Sequence, residues 1–169
     1  MIHLILFILI AVAFVIDARK SLIPNKVTIC GTMIGFVFHA FTEGWSGVLF
    51  AVMGAITGFT ALLLLYFFGA LGAGDVKLFA AIGAIMGVSF VLQSMLYAIL
   101  CAGVIGLILL FIRKQMIHTG RKLAMWLVSI VVIQDMGSLI GMKHQKNMKF
   151  PFMYAVVPGV ALTWYYSFL

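Results

Sequence analysis

The chain of 169 residues holds four acidic side chains: Asp17, Glu43, Asp75 and Asp135. A carboxylate can act as a general acid or base, or pass a proton along a relay, and a pair of them can do either. Glu43 falls in an outer loop, where water solvates it. Asp135 belongs to the segment 123–142, and an interfacial polar face accounts for it at least as well as catalysis does. Asp17 and Asp75 differ. Asp17 ends the first apolar run and Asp75 follows the third, so the chain travels out and back between them and both carboxylates return to one membrane face. Ionisable groups at membrane depth are costly and usually serve a site. Each also fits a plain helix end at the headgroups, and position alone does not choose between the two.

The elements that must carry these residues are membrane helices. Hydrophobic residues make up 65% of the chain and charged residues 9%, against roughly 25% charged in a soluble domain. Mean hydropathy is +1.25. The apolar runs are continuous instead of alternating, which excludes an outer-membrane barrel. A spanning helix needs about 20 apolar residues, so no separate extramembrane domain fits, and residues 1–169 are expected to form one transmembrane domain. The expected fold is an all-α polytopic bundle of about six transmembrane helices, at 1–16, 27–41, 48–68, 76–92, 95–112 and 150–169. Gln93-Ser94 is the polar interruption that divides the fourth from the fifth. The first run is read as a true helix, because it lacks the basic start and small-residue cleavage site of a signal peptide. With 123–142 lying along the interface or re-entering, six spans put all 11 basic residues on the cytoplasmic side. The net charge of +7 is therefore a topology signal, and no nucleic-acid partner is implied.

Other residue types are absorbed by the same frame. The glycine pairs Gly54/Gly58 and Gly83/Gly87 let helix backbones approach closely in lipid. Cys30 and Cys101 stand in apolar runs as packing residues. His3, His39, His118 and His144 show no metal-ligand spacing, so no metal site is expected. Trp45, Trp126, Trp164, Tyr165 and Tyr166 fall near span ends, where an aromatic belt belongs.

The neighbours of the two aspartates carry a more specific signal. Asp17-Ala18-Arg19-Lys20-Ser21-Leu22-Ile23-Pro24-Asn25 and Gly72-Ala73-Gly74-Asp75-Val76-Lys77-Leu78 resemble the type IV prepilin peptidase family, membrane aspartyl proteases with one Asp before an Ile-Pro-Asn turn and another in G-x-G-D-x-K. Lys149-Phe150-Pro151-Phe152 is similar to the family's Pro-Phe feature at the last helix. The resemblance runs from Asp17 to the C-terminus. It implies that Asp17 and Asp75 are catalytic and that Gly72, Gly74, Lys77, Pro24, Asn25 and Pro151 support them. The cysteine pairs of the bifunctional, methylating members are missing here, so the resemblance implies the short, peptidase-only branch. It further implies a cell-membrane enzyme without cofactor or metal, its active site facing the cytoplasm. Its substrate would be a prepilin-like precursor (type IV pilin, pseudopilin or archaeal flagellin), with the bilayer and a pilus or secretion machinery as partners.

The chemistry follows from two adjacent carboxyl groups, which share one proton because both cannot ionise cheaply. One takes a proton from water as it attacks the scissile carbonyl, and the other protonates the carbonyl oxygen and later assists the leaving amine. Asp17 stands at a helix C-terminus and Asp75 at a helix start, so the dipoles make Asp75 the expected base and Asp17 the proton holder. Pro24 either fixes the approach of Asp17 to Asp75 or simply ends a helix; both readings stay open. Two rivals remain. A small ion- or proton-coupled transporter subunit would use the carboxylates as a relay and should carry polar residues at mid-helix. A non-catalytic assembly subunit would tolerate Asp→Asn at both sites.

Overall fold

The structure is a computed structural model that describes residues 2–20, 23–67, 71–112 and 152–167. These residues form four α-helices: α1 (Ile2–Lys20), α2 (Asn25–Phe67), α3 (Ala73–Ile112) and α4 (Met153–Tyr166). The chain divides into two compact units, one of Met1–Ala102 with Phe150–Leu169 and one of Gly103–Lys149. Asp17 and Asp75 both belong to the first unit. The expected segment 123–142, Trp126 and the basic residues between 113 and 149 lie outside the described residues.

Three helices contain stretches long and apolar enough to cross a membrane: Ile2–Arg19, Asn25–Phe67 and Ala73–Ile108. Their outer faces are apolar too, with Leu4, Ile8, Ile29, Met33, Leu64 and Leu96 all exposed. The protein is an all-helical bundle suited to a lipid environment. An unbroken α2 of 43 residues would be roughly 65 Å long, about twice the hydrocarbon core of a bilayer. It is broken into arms 25–43 and 45–67 by Gly44, at φ 62° and ψ −135°. In the same way Gly87, at φ 83° and ψ −178°, divides α3 into arms 73–86 and 88–112. Glycine alone adopts such a φ without a steric penalty from Cβ.

Both breaks reverse the chain. The rings of His39 and Phe50, one on each side of Gly44, have centroids only 5.0 Å apart. A Cβ built at Gly58 would touch the Phe79 carbonyl and stand 3.0 Å from the Val91 side chain, two residues on opposite sides of Gly87.

This break corrects the expected one at Gln93-Ser94. Ser94 is fully buried within the second arm, and its hydroxyl donates to the Phe90 carbonyl at 2.7 Å. A serine that bonds one turn back is satisfied inside its own helix and forces no interruption. Gly87, read as half of a packing pair, does lie in close approach, with a Cβ at Gly54 3.0 Å from its Cα, and it is also the turn, the Phe50 ring occupying the space where a side chain would project.

Small residues set the remaining contacts. A Cβ at Gly35 would stand 2.9 Å from the Ala84 carbonyl oxygen, and one at Gly31 3.4 Å from the Ala81 methyl, so arms 25–43 and 73–86 run side by side in the same direction. Gly54 lies on the Gly83 backbone and Gly58 on Phe79, so arm 45–67 runs antiparallel to arm 73–86. Gly159 of α4 sits on Ala98 with a Cβ distance of 2.6 Å to its amide nitrogen. α4 also runs antiparallel to α1, with Phe7 against Trp164 and Phe14 against Tyr154, each pair at 5.3 Å. The shared core includes Leu6, Leu62, Phe79, Ile82, Ile85 and Val156. Trp164, Tyr165 and Tyr166 close α4 at the end away from Met153, the residue that meets Asp17.

The break at Gly87 leaves the Ile85 carbonyl without its helical partner four residues on. His39, 6% exposed, answers it: its Nε2 donates to that carbonyl at 3.0 Å. Removing the donor leaves a buried carbonyl unpaired, which costs about 1–3 kcal/mol. His39→Leu is therefore expected to lower the thermal unfolding temperature of the purified protein, and His39→Gln, which retains an N–H donor, to lower it less. Equal stability of His39→Leu and wild type in a melting experiment would refute this role.

Candidate active site

Asp17 lies in the last turn of α1 and is only 5% exposed. Its Oδ2 accepts a hydrogen bond from the Met153 backbone N–H at 3.3 Å. Met153 is the first residue of α4, and the residue before it, Phe152, has no side chain able to cap the helix. The first N–H groups of any helix have no partner within it. Asp17 supplies one from 136 residues away in sequence and brings a negative charge to the positive end of the α4 dipole.

Asp75 stands in the first turn of α3, 9% exposed. Its Oδ2 accepts from the Gly72 N–H at 3.1 Å, while its own N–H donates back to the Gly72 carbonyl at 3.1 Å. The Val76 N–H reaches the same carbonyl at 3.5 Å. Gly72 is thus the helix cap, and Asp75 plays the part that Glu or Gln takes in a capping box. A Cβ at Gly72 would stand 3.2 Å from Oδ2, so glycine leaves the carboxylate room to fold back.

Asp17 stands in the last turn of α1, six residues before Ile23, whose side chain is seated on Gly74 next to Asp75. The turn before α2 is thereby docked against the start of α3. Ile23 is buried, and a Cβ at Gly74 would stand 3.1 Å from the Ile23 Cβ. The Pro24 carbonyl accepts from the Val27 N–H at 3.1 Å and begins α2. Asn25 Oδ1 accepts a hydrogen bond from Lys77 Nζ at 2.9 Å. Asp17, Pro24, Asn25, Gly72, Gly74, Asp75 and Lys77 therefore assemble at one end of the bundle. Pro151 lies outside the described residues. Among the described residues no group of three or more His, Cys, Asp or Glu is arranged to hold a metal ion.

One participant escaped the sequence reading: the Met153 N–H. The signal for it was the Pro-Phe pair opening the last helix, but only the packing of α4 on α1 brings it to Asp17. Its presence also removes the dipole contrast drawn between the two aspartates. Asp17 is near the C-terminus of its own helix yet faces the N-terminus of another, so each carboxylate receives one N–H from the start of a helix.

A model of the type IV leader peptidase family matches residues 4–111. That stretch contains both aspartates and both of the motifs around them. No curated protein and no solved structure matches the chain.

The tight seat of Ile23 on Gly74 has a measurable consequence. Gly74→Val adds a branched side chain where one Cβ already crowds Ile23, and overpacking of this kind costs about 1–3 kcal/mol. The variant is expected to melt below wild type, with Gly74→Ala in between. A Gly74→Val protein as stable as wild type would show that the turn does not rest on Gly74.

Proposed function

Because the chain belongs to the type IV leader peptidase family, we propose that it is an aspartic endopeptidase whose catalytic groups are Asp17 and Asp75. The observation that supports this reading is that two buried carboxyl groups, each accepting an N–H from the start of a helix, stand at the same end of the bundle. One carboxylate takes a proton from water, and the resulting nucleophile attacks the scissile carbonyl carbon. The other carboxyl donates its proton to the carbonyl oxygen. Collapse of the tetrahedral intermediate breaks the C–N bond, and the amine leaves with the proton first taken from water. The Gly72 and Met153 N–H groups hold one oxygen of each aspartate and leave the other for water and substrate.

The substrate of this reading is a prepilin-like precursor with a short basic leader, a glycine at the cleavage point and an apolar helix behind it. The helix would dock laterally among the spans, and its leader would lie at the cytoplasmic face beside Asp17 and Asp75. The site would then face the cytoplasm from a cell membrane, in a six-span single domain of the peptidase-only branch that serves a pilus or secretion machinery. The transporter reading keeps the same aspartates but predicts no bond cleavage.

Asn retains an oxygen that can accept from Met153 or Gly72, so Asp→Asn tests the chemistry more than the fold. Purified protein in detergent, given a synthetic precursor peptide, is expected to cleave after the glycine. Asp75→Asn and Asp17→Asn are each expected to lower the rate by roughly 10²–10⁴-fold, the range for loss of a general acid or base. Mass spectrometry of the products reads the outcome. Wild type that leaves the peptide intact, or an Asp75→Asn variant that cleaves it at the wild-type rate, would overturn the proposal.

A further inference from the structure

The bond between Lys77 and Asn25 takes no part in the acid–base scheme, yet it fastens the start of α2, eight residues after Asp17, to the first turns of α3, which carry Asp75. Lys77 follows Asp75 by two residues in the first turns of α3, and Asn25 opens α2 directly after the turn that leads from Asp17. The 2.9 Å hydrogen bond between them closes a loop 52 residues long. Lys77 Nζ donates to a neutral amide oxygen, so the lysine charge is not consumed by an acid at this contact. The same turn is seated at a second point, Ile23 on Gly74, one residue from Asp75.

We propose that Lys77 and Asn25 are a positioning pair that sets the separation of Asp17 and Asp75. The inference rests on the peptidase reading for its catalytic consequence, though not for its geometry.

The physical need is clear. Two carboxyl groups that must serve one water repel each other whenever both are ionised, and they ride on separate helices. Misplacement by about 1 Å can cost a factor of about 10² in rate. Asp17 is held on one side by the Met153 N–H, which ties α1 to α4 and not to α3. The docked turn ties the start of α2 to α3, and the Lys77–Asn25 bond is its polar fastening. The bond lies at the exposed rim of the site, where a single hydrogen bond adds little to global stability. Its loss should therefore appear in turnover before it appears in folding.

The pair is separable from a charge effect of Lys77 on the site, because Asn25→Leu removes the bond and leaves the lysine charge in place. In the peptide assay, Lys77→Met and Asn25→Leu are each expected to lower kcat by about 10–100-fold with KM little changed. The double variant should be no slower than the slower single one, since both remove the same bond. Asn25→Asp and Lys77→Arg, which keep an acceptor and a donor, should stay within several-fold of wild type and show that the positions tolerate change.

An activity-independent arm measures the separation itself. Spin labels are placed through Ala18→Cys and Ala73→Cys, both exposed positions, after Cys30→Ala and Cys101→Ala. Their distance distribution is expected to broaden or shift in Lys77→Met and in Asn25→Leu. An unchanged distribution overturns the proposal whatever the activity. So does a rise in KM confined to Lys77→Met, which would make the lysine a substrate contact, or losses that multiply in the double variant. Wild type without Asp75-dependent cleavage would refute the peptidase reading instead, and the label distances would still decide the pair.

Discussion

A chain whose surroundings are hydrocarbon has to answer its own backbone polar groups, because lipid offers none in return. Helices do this along their length and fail at their ends. The first unit of this protein can be understood as a set of answers to that failure. The carbonyl freed at Gly87 is taken by His39, and the N–H of Gly72 by Asp75. The N–H that opens α4 is taken by Asp17. Elsewhere the hydroxyls of Thr28, Ser94 and Thr163 bond to carbonyls three or four residues earlier in their own helices, which satisfies them without a tertiary partner.

Seen this way, the two accounts of Asp17 and Asp75 are not rivals. Each is a helix-terminus partner, and each is a buried carboxylate at the same end of the bundle. Structural duty explains how a costly group is tolerated inside the bundle, since an N–H and the positive end of a dipole offset part of its desolvation. It also holds one oxygen in a fixed direction, which in the proposed peptidase would pre-organise the second for acid–base work. The same bond thus lowers the cost of burying the carboxylate and fixes its orientation.

Close helix packing makes this arrangement possible. Gly31, Gly35, Gly54, Gly58 and Gly159 each bring another element to where a side chain would otherwise stand. Such contacts fix helix against helix at the level of backbone atoms, where there are few rotamers to absorb an error. A site built at one end of helices so packed inherits their precision. The approach of Ile23 to Gly74 extends the same device to the turn beside the aspartates.

Composition alone established the solvent, and with it the fold class, because so few charged residues cannot clothe a water-facing surface. The motif residues around Asp17 and Asp75 are local in sequence, so the candidate site was legible before any coordinates. Gly44 was legible as a break too, since Thr42-Glu43-Gly44 interrupts an apolar run. The turn at Gly87 was not. Hydropathy marks polar interruptions, and a glycine between Met86 and Val88 leaves the run apolar, while the polar Gln93-Ser94 stays helical because Ser94 bonds to its own helix. The link from Met153 to Asp17, the seat of Ile23 on Gly74 and the bond from Lys77 to Asn25 belong wholly to the tertiary structure. They join residues far apart in the chain, and only the packing of the helices decides which distant backbone or side-chain group lies within hydrogen-bonding reach.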